Sequence, residues 1–337
     1  MSLKFLKALK SLKSLKSLGF LGFLGFLGAI ASCTSHTGEG EMEPAAIGFH
    51  THRIEEVGTR ALISTTDDLR TPGFGVYGDK TVGKSSPQLV FENIKVFGTP
   101  WDYEPTKYWD RTAAYRFVAY APYAPWTESE SVTWYSSVDK TLTINGIPQW
   151  QKIDGDEIDY LVATSAGTAE QYLSQPTNGT VNLEFKHILA QLTVNIAKVS
   201  PAADYKVNGL WFEYVPTGDC NCVYDSSNES LSFIGGSTGQ QNLLPTDANI
   251  KVGTSSTQLA HYLVAPFDLG TVNLQLSYTL GSSEPKTVPV PLGITKFESN
   301  HSYVFNLLFE AGSNISVSVT EVKNWETIEV TDDVYNW

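Results

Sequence analysis

The sequence predicts an all-β protein assembled from β-sandwiches, on three observations. Beyond residue 44 apolar residues recur with a period of two, helical periodicity is nearly absent, and the stretches between apolar runs are rich in Gly, Ser, Pro and Asn. The alternation is plainest over Thr271–Leu280, where Val272, Leu274, Leu276, Tyr278 and Leu280 alternate with polar residues, as in an antiparallel strand buried on one face. At roughly 100–200 residues per domain, a chain of 337 residues has room for two such domains behind an N-terminal leader.

Residues 1–32 read as an export signal. Lys4, Lys7, Lys10, Lys13 and Lys16 make a basic start without a single acid, and Leu18–Ile30 is an apolar run of 13 residues. That run is shorter than the roughly 20 residues a membrane-spanning helix needs. Lysines at every third position also fit an amphipathic helix lying on a membrane surface. However, Ile30-Ala31-Ser32-Cys33 follows at once, an aliphatic residue, two small residues and a cysteine, and it resembles a bacterial lipobox. This reading predicts acylation of Cys33 and a lipid-anchored rather than spanning protein; the alternative is a plain signal peptide with an incidental cysteine. Glu39, Glu41 and Glu43 then sit in a Gly-containing, solvated tether.

Downstream, Phe74–Tyr77, Leu89–Phe97 and Tyr160–Ala163 are short apolar runs of strand type, and Tyr115, Phe117, Ala119 and Ala121 share one parity. One short helix is expected over Thr168–Leu173, stopped by Pro176. Thr177-Asn178-Gly179 is a turn and marks the predicted division between a sandwich over 61–178 and another over 179–337. Val181, Leu183, Phe185, His187 and Leu189 are odd-numbered, whereas Leu192, Val194 and Ile196 are even. A single strand cannot bury both sets on one face, so a bulge near 188–191 or a second packing partner is required. Tyr303, Phe305, Leu307 and Phe309, then Ile315, Val317 and Val319, complete the series.

The formal charge is −13, or −18 once the five leader lysines are set aside. Such a surface excludes nucleic acid as a partner, since phosphate binding needs a basic face. Three cysteines exclude a disulfide scaffold. Cys220-Asn221-Cys222 reads as a pair of loop thiols, or at most a labile disulfide, because a bridge across one residue is strained. The nucleophile elbow, phosphate loop, zinc-protease and dinucleotide motifs are all missing. His50 and His52 would share a strand face but are too few to hold a metal, and His187 reads as a core or interface histidine. Asp154, Asp156, Glu157 and Asp159 read as a solvated acidic loop without glycosidase or calcium-loop spacing. Trp101, Tyr103, Tyr108 and Trp109, with Tyr120, Tyr123 and Trp126, would suit sugar stacking, but packing is the favoured reading. No enzyme, metal or cofactor is expected.

Taken in order, these pieces resemble the fimbrillin family, the lipoprotein pilins of Bacteroides-type bacteria. The match runs through the lipobox at Cys33, Ala45-Ala-Ile-Gly-Phe49, Thr59-Arg60-Ala61, Tyr108-Trp109, Tyr115–Pro122, Ile158–Ala163, Leu183–Leu192, Asn300–Phe305, Ile315–Val322 and Trp325. The resemblance implies two tandem transthyretin-like sandwiches without enzymatic activity. It implies export to the outer membrane through the lipid on Cys33 and a propeptide over 33–60. A trypsin-like cut then falls between Arg60 and Ala61, with Arg53 as the competing position, and removes the first strand. A strand from another copy or a related subunit fills the opened groove, and a surface fimbrium grows. The short Ala46–His50 segment, weakened by Gly48, is the expected temporary occupant. The tail Trp325–Trp337 is the expected donor, with Trp337 as its anchor. Two alternatives remain: a tip or accessory adhesin of the same fold that binds a host or bacterial ligand, and a monomeric glycan-binding surface lipoprotein.

Overall fold

The computed structural model describes residues 44–51, 63, 65–124, 133–272, 274–310 and 315–324, with side chains of the last segment described only at 315 and 316. The leader, Cys33, His52, Arg53, Arg60, Ala61, Trp126 and Trp337 lie outside the described residues. The fold is all-β, as the sequence predicts. In chain order the elements are β1 (Gly48–Thr51), α1 (Thr66–Arg70), β2 (Phe74–Val82), β3 (Gln88–Val96), β4 (Ala113–Ala121), β5 (Thr133–Ser136), β6 (Thr141–Pro148), β7 (Trp150–Lys152), β8 (Leu161–Thr168) and α2 (Ala169–Leu173). They continue with β9 (Thr180–Leu183), β10 (Lys186–His187), β11 (Ala190–Lys198), β12 (Tyr205–Asp225), β13 (Ser230–Leu244), β14 (Ile250–Lys251), β15 (Thr257–Val264), β16 (Phe267–Asp268), β17 (Leu274–Leu280), β18 (Lys286–Val290), β19 (Lys296–Phe297), β20 (His301–Phe309) and β21 (Ile315–Asn324). Both helices are single turns closed by a capping box; in α2 the Thr168 hydroxyl accepts from the Gln171 amide while the Gln171 side chain reaches back. No helix among the described residues is long and apolar enough to cross a membrane.

The first half is organised around a five-stranded antiparallel sheet in the order β10-β8-β4-β2-β3. Its central strands are buried on both faces. Phe74, Val76, Tyr115, Phe117 and Ala119 point into one core, while Tyr77, Val118 and Tyr120 point into another. The outer faces of β2 and β4 therefore carry apolar residues where a half-exposed strand would carry polar ones, which is why Phe74–Tyr77 and Ala113–Ala121 read as nearly continuous apolar runs.

The parity switch in residues 181–196 has a simple structural origin. The chain breaks into three strands that serve three cores in succession. Val181 and Leu183 of β9, with Phe185, enter the first core. Ile188 and Leu189 enter the core on the other side of the five-stranded sheet. Leu192, Val194 and Ile196 of β11 then enter the core of the second half. The second of the two predicted solutions, a change of packing partner, is the one adopted.

The second half packs the sheet β21-β20-β11-β15-β7 against β18-β17 and the start of β12. β11 runs parallel to β20 and antiparallel to β15. β12 is 21 residues long and joins two cores. Its start contributes Tyr205, Val207, Leu210 and Phe212 to the second sandwich, and its end contributes Cys220, Cys222 and Tyr224 to the layer beneath the five-stranded sheet. Its pairing with β13 shifts register three times, after Leu210, after Phe212 past Glu213 and Tyr214, and after Thr217 past Gly218 and Asp219. β5 and β6 pair onto the end of β12, and β7 pairs with β15. Residues 133–152 thus lie in sheets whose other strands come from residues 190–324.

The cysteine pair is a correction. Cys220 and Cys222 are strand residues with both sulfurs free and buried, not loop thiols. Burial pushes the Cys220 thiol up to about 11, with Asp219 adding to the rise, and pushes Cys222 higher still. Buried thiols held protonated are poor nucleophiles. We expect both to stay unmodified by iodoacetamide at pH 8 in the folded protein and to react once it is denatured, read by peptide mass spectrometry.

Candidate functional site: the trench beneath the leading strand

The inner face of the five-stranded sheet is covered by little regular structure. Its lid comprises β1, β9, the segment Phe97–Thr112 and single buried turns at α1 and α2. β1 pairs parallel to β9 over four positions, from Gly48 opposite Thr180 to Thr51 opposite Leu183. On its other side Ile47 donates to the Lys107 carbonyl at 2.8 Å, and the Trp109 amide donates to the Ala45 carbonyl at 3.0 Å. The leading segment is therefore bonded along both edges.

Alternation sets the side chains. Ile47, Phe49 and Thr51 point inward, whereas Ala46 and His50 are exposed. The Phe49 ring meets Phe74, Phe91, Tyr103 and Phe117 edge-on, with centroids 5.4–6.4 Å away. Ile47 and Phe49 are 1% and 6% exposed; at roughly 1.5–3 kcal/mol for each such side chain, they supply most of what holds this segment down. The walls are aromatic too. Trp109 stacks on Tyr172 of α2 at 4.8 Å and donates its indole N–H to the Gly179 carbonyl at 2.9 Å. Gly179 has a φ of +89°, and a Cβ there would stand 2.9 Å from the Trp109 nitrogen, so the Asn178-Gly179 turn is required for this contact. The Tyr103 hydroxyl donates to the Ile47 carbonyl at 2.7 Å and accepts from the Lys107 amide at 3.2 Å. Burial raises its pKa, keeping it a donor.

The rim is fixed by Asp110. Its carboxylate accepts from Thr112 and pairs with Lys80 at 2.9 Å, which hold its pKa down at about 2, the Thr112 hydroxyl contributing most.

The other sequence candidates fall elsewhere. Asp159 is a second correction: it is not part of a solvated acidic loop but is 4% exposed, with one oxygen 2.9 Å from His187 Nδ1 and the other accepting from the Ile63 amide at 3.2 Å. Its neighbours Asp154 and Asp156 are exposed, and Glu157 closes their turn by accepting from the Asp154 and Gly155 amides. His187 and Asp159 are sealed from solvent, so they work as a structural pair. Among the described residues no group of three or more His, Cys, Asp or Glu is placed to hold a metal. Of the aromatic groups, Tyr103, Trp109 and Tyr120 are buried while Tyr108 is exposed. The Arg70 guanidinium lies 4.9 Å over the Trp101 ring, and Lys95 sits between Phe97 and Tyr123. Sequence reasoning missed Tyr103 and Asp110 as trench residues, because the partners that place them there, Ile47 and Lys80, lie tens of residues away in the chain.

A family model described as fimbrillin-like matches residues 59–325, and the chain belongs to that family. No curated protein matches it. Similar solved structures include a candidate cell adhesion protein from Bacteroides uniformis, 16% identical over 83% of this chain and 98% of that one, with a TM-score of 0.49. A second candidate cell adhesion protein, from Bacteroides ovatus, is 14% identical over 84% and 98%, with a TM-score of 0.44. The tip fimbrial protein Mfa3 from Porphyromonas gingivalis is 12% identical over 77% and 96%, with a TM-score of 0.39.

Two substitutions test the trench. Phe49→Ala should lower stability by about 3–5 kcal/mol, and Tyr103→Phe by about 1–3 kcal/mol through the stranded Ile47 carbonyl, both measured by urea unfolding. The depressed pKa of Asp110 gives a pH signature. Its contribution is complete above the unfolded-state value of 3.8 and is lost as pH falls through about 2. Asp110→Asn should therefore cost up to about 1 kcal/mol near neutrality, discounted for its partial exposure. That difference should close between about pH 4 and 2.

Proposed function

We propose that the chain is a structural subunit of a cell-surface fimbrium, matured by proteolysis and polymerised by strand replacement. The observation that carries this reading is β1, a four-residue strand that fills an aromatic trench between β9 and the 107–109 segment. In the reading, the subunit reaches the outer membrane through a lipid on Cys33. Cleavage between Arg60 and Ala61 then cuts the covalent link between β1 and the rest of the fold and frees the body from its anchor. The division into a propeptide over 33–60 and sandwiches over 61–178 and 179–337 is part of the proposal, with β5–β7 reaching across it.

Physical arithmetic supports the step. While the chain is intact, β1 is held at the millimolar effective concentration typical of a short tether. Ile47 and Phe49 together offer about 3–6 kcal/mol in gross terms, and a net −4.1 kcal/mol corresponds to a Kd of only 1 mM. Once cut, such a segment leaves at ordinary protein concentrations. The vacated trench keeps its aromatic floor and the unpaired main chain of β9, which together template an incoming strand. The fimbrillin-like match covers 59–325, the body without β1 or the last residues. The tail Trp325–Trp337, with Trp337 as anchor, is the proposed donor, and another copy or a related subunit is the partner. The family and the sealed His187–Asp159 pair both support a non-enzymatic role.

Limited trypsin treatment of the folded chain tests the reading. A fragment beginning at Ala61 should appear, followed by SDS-resistant ladders. Arg60→Ala should abolish both, while Arg53→Ala should leave them intact. A cut product that stays monomeric would overturn the assembly step, and a product beginning at Ile54 would move the cleavage to Arg53.

A further inference from the structure

We propose that Thr51 is the built-in weak point of the leading strand, leaving the trench a third socket that an aliphatic residue fills better. This inference rests on the reading that β1 is replaced by a strand from a second copy of the chain. It adds what the trench selects in that strand.

Three consecutive inward positions define the sockets. Ile47 and Phe49 fill the first two with apolar side chains. Thr51 fills the third; it is 3% exposed, sits opposite the fully buried Leu183, and its hydroxyl oxygen has no hydrogen-bond partner. The contrast with the rest of the trench is sharp. The Tyr103 hydroxyl, the Trp109 indole and the main-chain groups of Ala45, Ile47 and Gly48 all have partners. A buried hydroxyl without a partner has given up its water and received nothing in return. Valine has the shape of threonine and the same preference for extended backbone, so the socket takes an aliphatic residue without rearrangement.

The outward position between the first two sockets adds a second condition. A Cβ at residue 48 would lie 3.3 Å from the Thr180 hydroxyl oxygen, so this site favours a small residue. The trench therefore selects a strand parallel to β9 of the form apolar, small, apolar, any residue, β-branched aliphatic. Residues 47–51 satisfy four of these five conditions and fail the last.

The test compares Thr51→Val, Thr51→Ser and the unaltered full chain by native-state hydrogen exchange at the amides of residues 47–51. Thr51→Val should slow exchange about 10-fold or more, and Thr51→Ser, which keeps the hydroxyl, should not slow it. Equal or faster exchange in Thr51→Val would overturn the inference by showing that the hydroxyl is satisfied, for instance by a buried water. Ladder formation after trypsin cleavage is the second readout and should slow in Thr51→Val, whose plug dissociates less readily. Slowed exchange with unchanged ladder formation would remove the strand-replacement reading and leave Thr51 as a weak point of β1 alone. Unslowed exchange would remove the Thr51 inference whatever the ladders do.

Discussion

The constraint on which the structure turns is the unequal covering of one sheet. β2 and β4 are apolar on both faces. One face rests on β5, β6 and the end of β12, which are fixed within the second half of the molecule. The other face carries Phe74, Phe91, Tyr115 and Phe117 and has above it only a two-stranded ribbon, a loop and the two single-turn helices. So much aromatic surface cannot stay in contact with water without a large free-energy cost. Something extended and apolar must lie on it. That element is β1 with the two residues before it.

The walls of the trench are held by the rest of the architecture. β9, the partner of β1, is held by the chain that follows it. After β9 the backbone adds β10 to the edge strand β8, and β11 is then bonded on both sides by β15 and β20. The Ile63 amide is fastened to the buried Asp159–His187 pair. A chain cut upstream of residue 63 therefore retains an internal attachment close to its new end. A polar pair in the core is worth having here for its direction: carboxylate oxygens accept at fixed angles, and truncating either partner would strand the other away from water.

Much of this was legible in the sequence, and the rest was hidden for identifiable reasons. The alternation over Leu274–Leu280, the α2 turn after Thr168 and the change of parity in 181–196 are local patterns, and each appears where expected. β12 was not legible, because Pro216, Gly218 and Asp219 look like a turn; tertiary pairing to β6 and β13 carries the strand through them by shifting register. The cysteine pair was misplaced for the same reason. Asp159 was misread because three acidic neighbours, two of them exposed, dominate its window, while the partner that buries it, His187, lies 28 residues on. In the trench, the aromatic segment 101–109 was recognised as packing material. Its function as a frame depends on the Tyr103–Ile47 and Trp109–Ala45 contacts, which span more than fifty residues.

The nature of those contacts decides how selective the trench is. Both rim contacts, and the pairing with β9, engage main-chain atoms of the occupant. Main-chain bonds are indifferent to sequence, so they accept any extended strand of correct direction and reject helices and bulges. Selectivity is left to the three sockets and to the close approach at Thr180. Apolar sockets discriminate by size and by the cost of burying polarity, both of which are graded effects. A site of this kind ranks competing strands by how well they fill it. Residues 47–51, with glycine at the second position and a hydroxyl in the last socket, fill two of the three sockets with apolar side chains and so cover the aromatic face of the sheet.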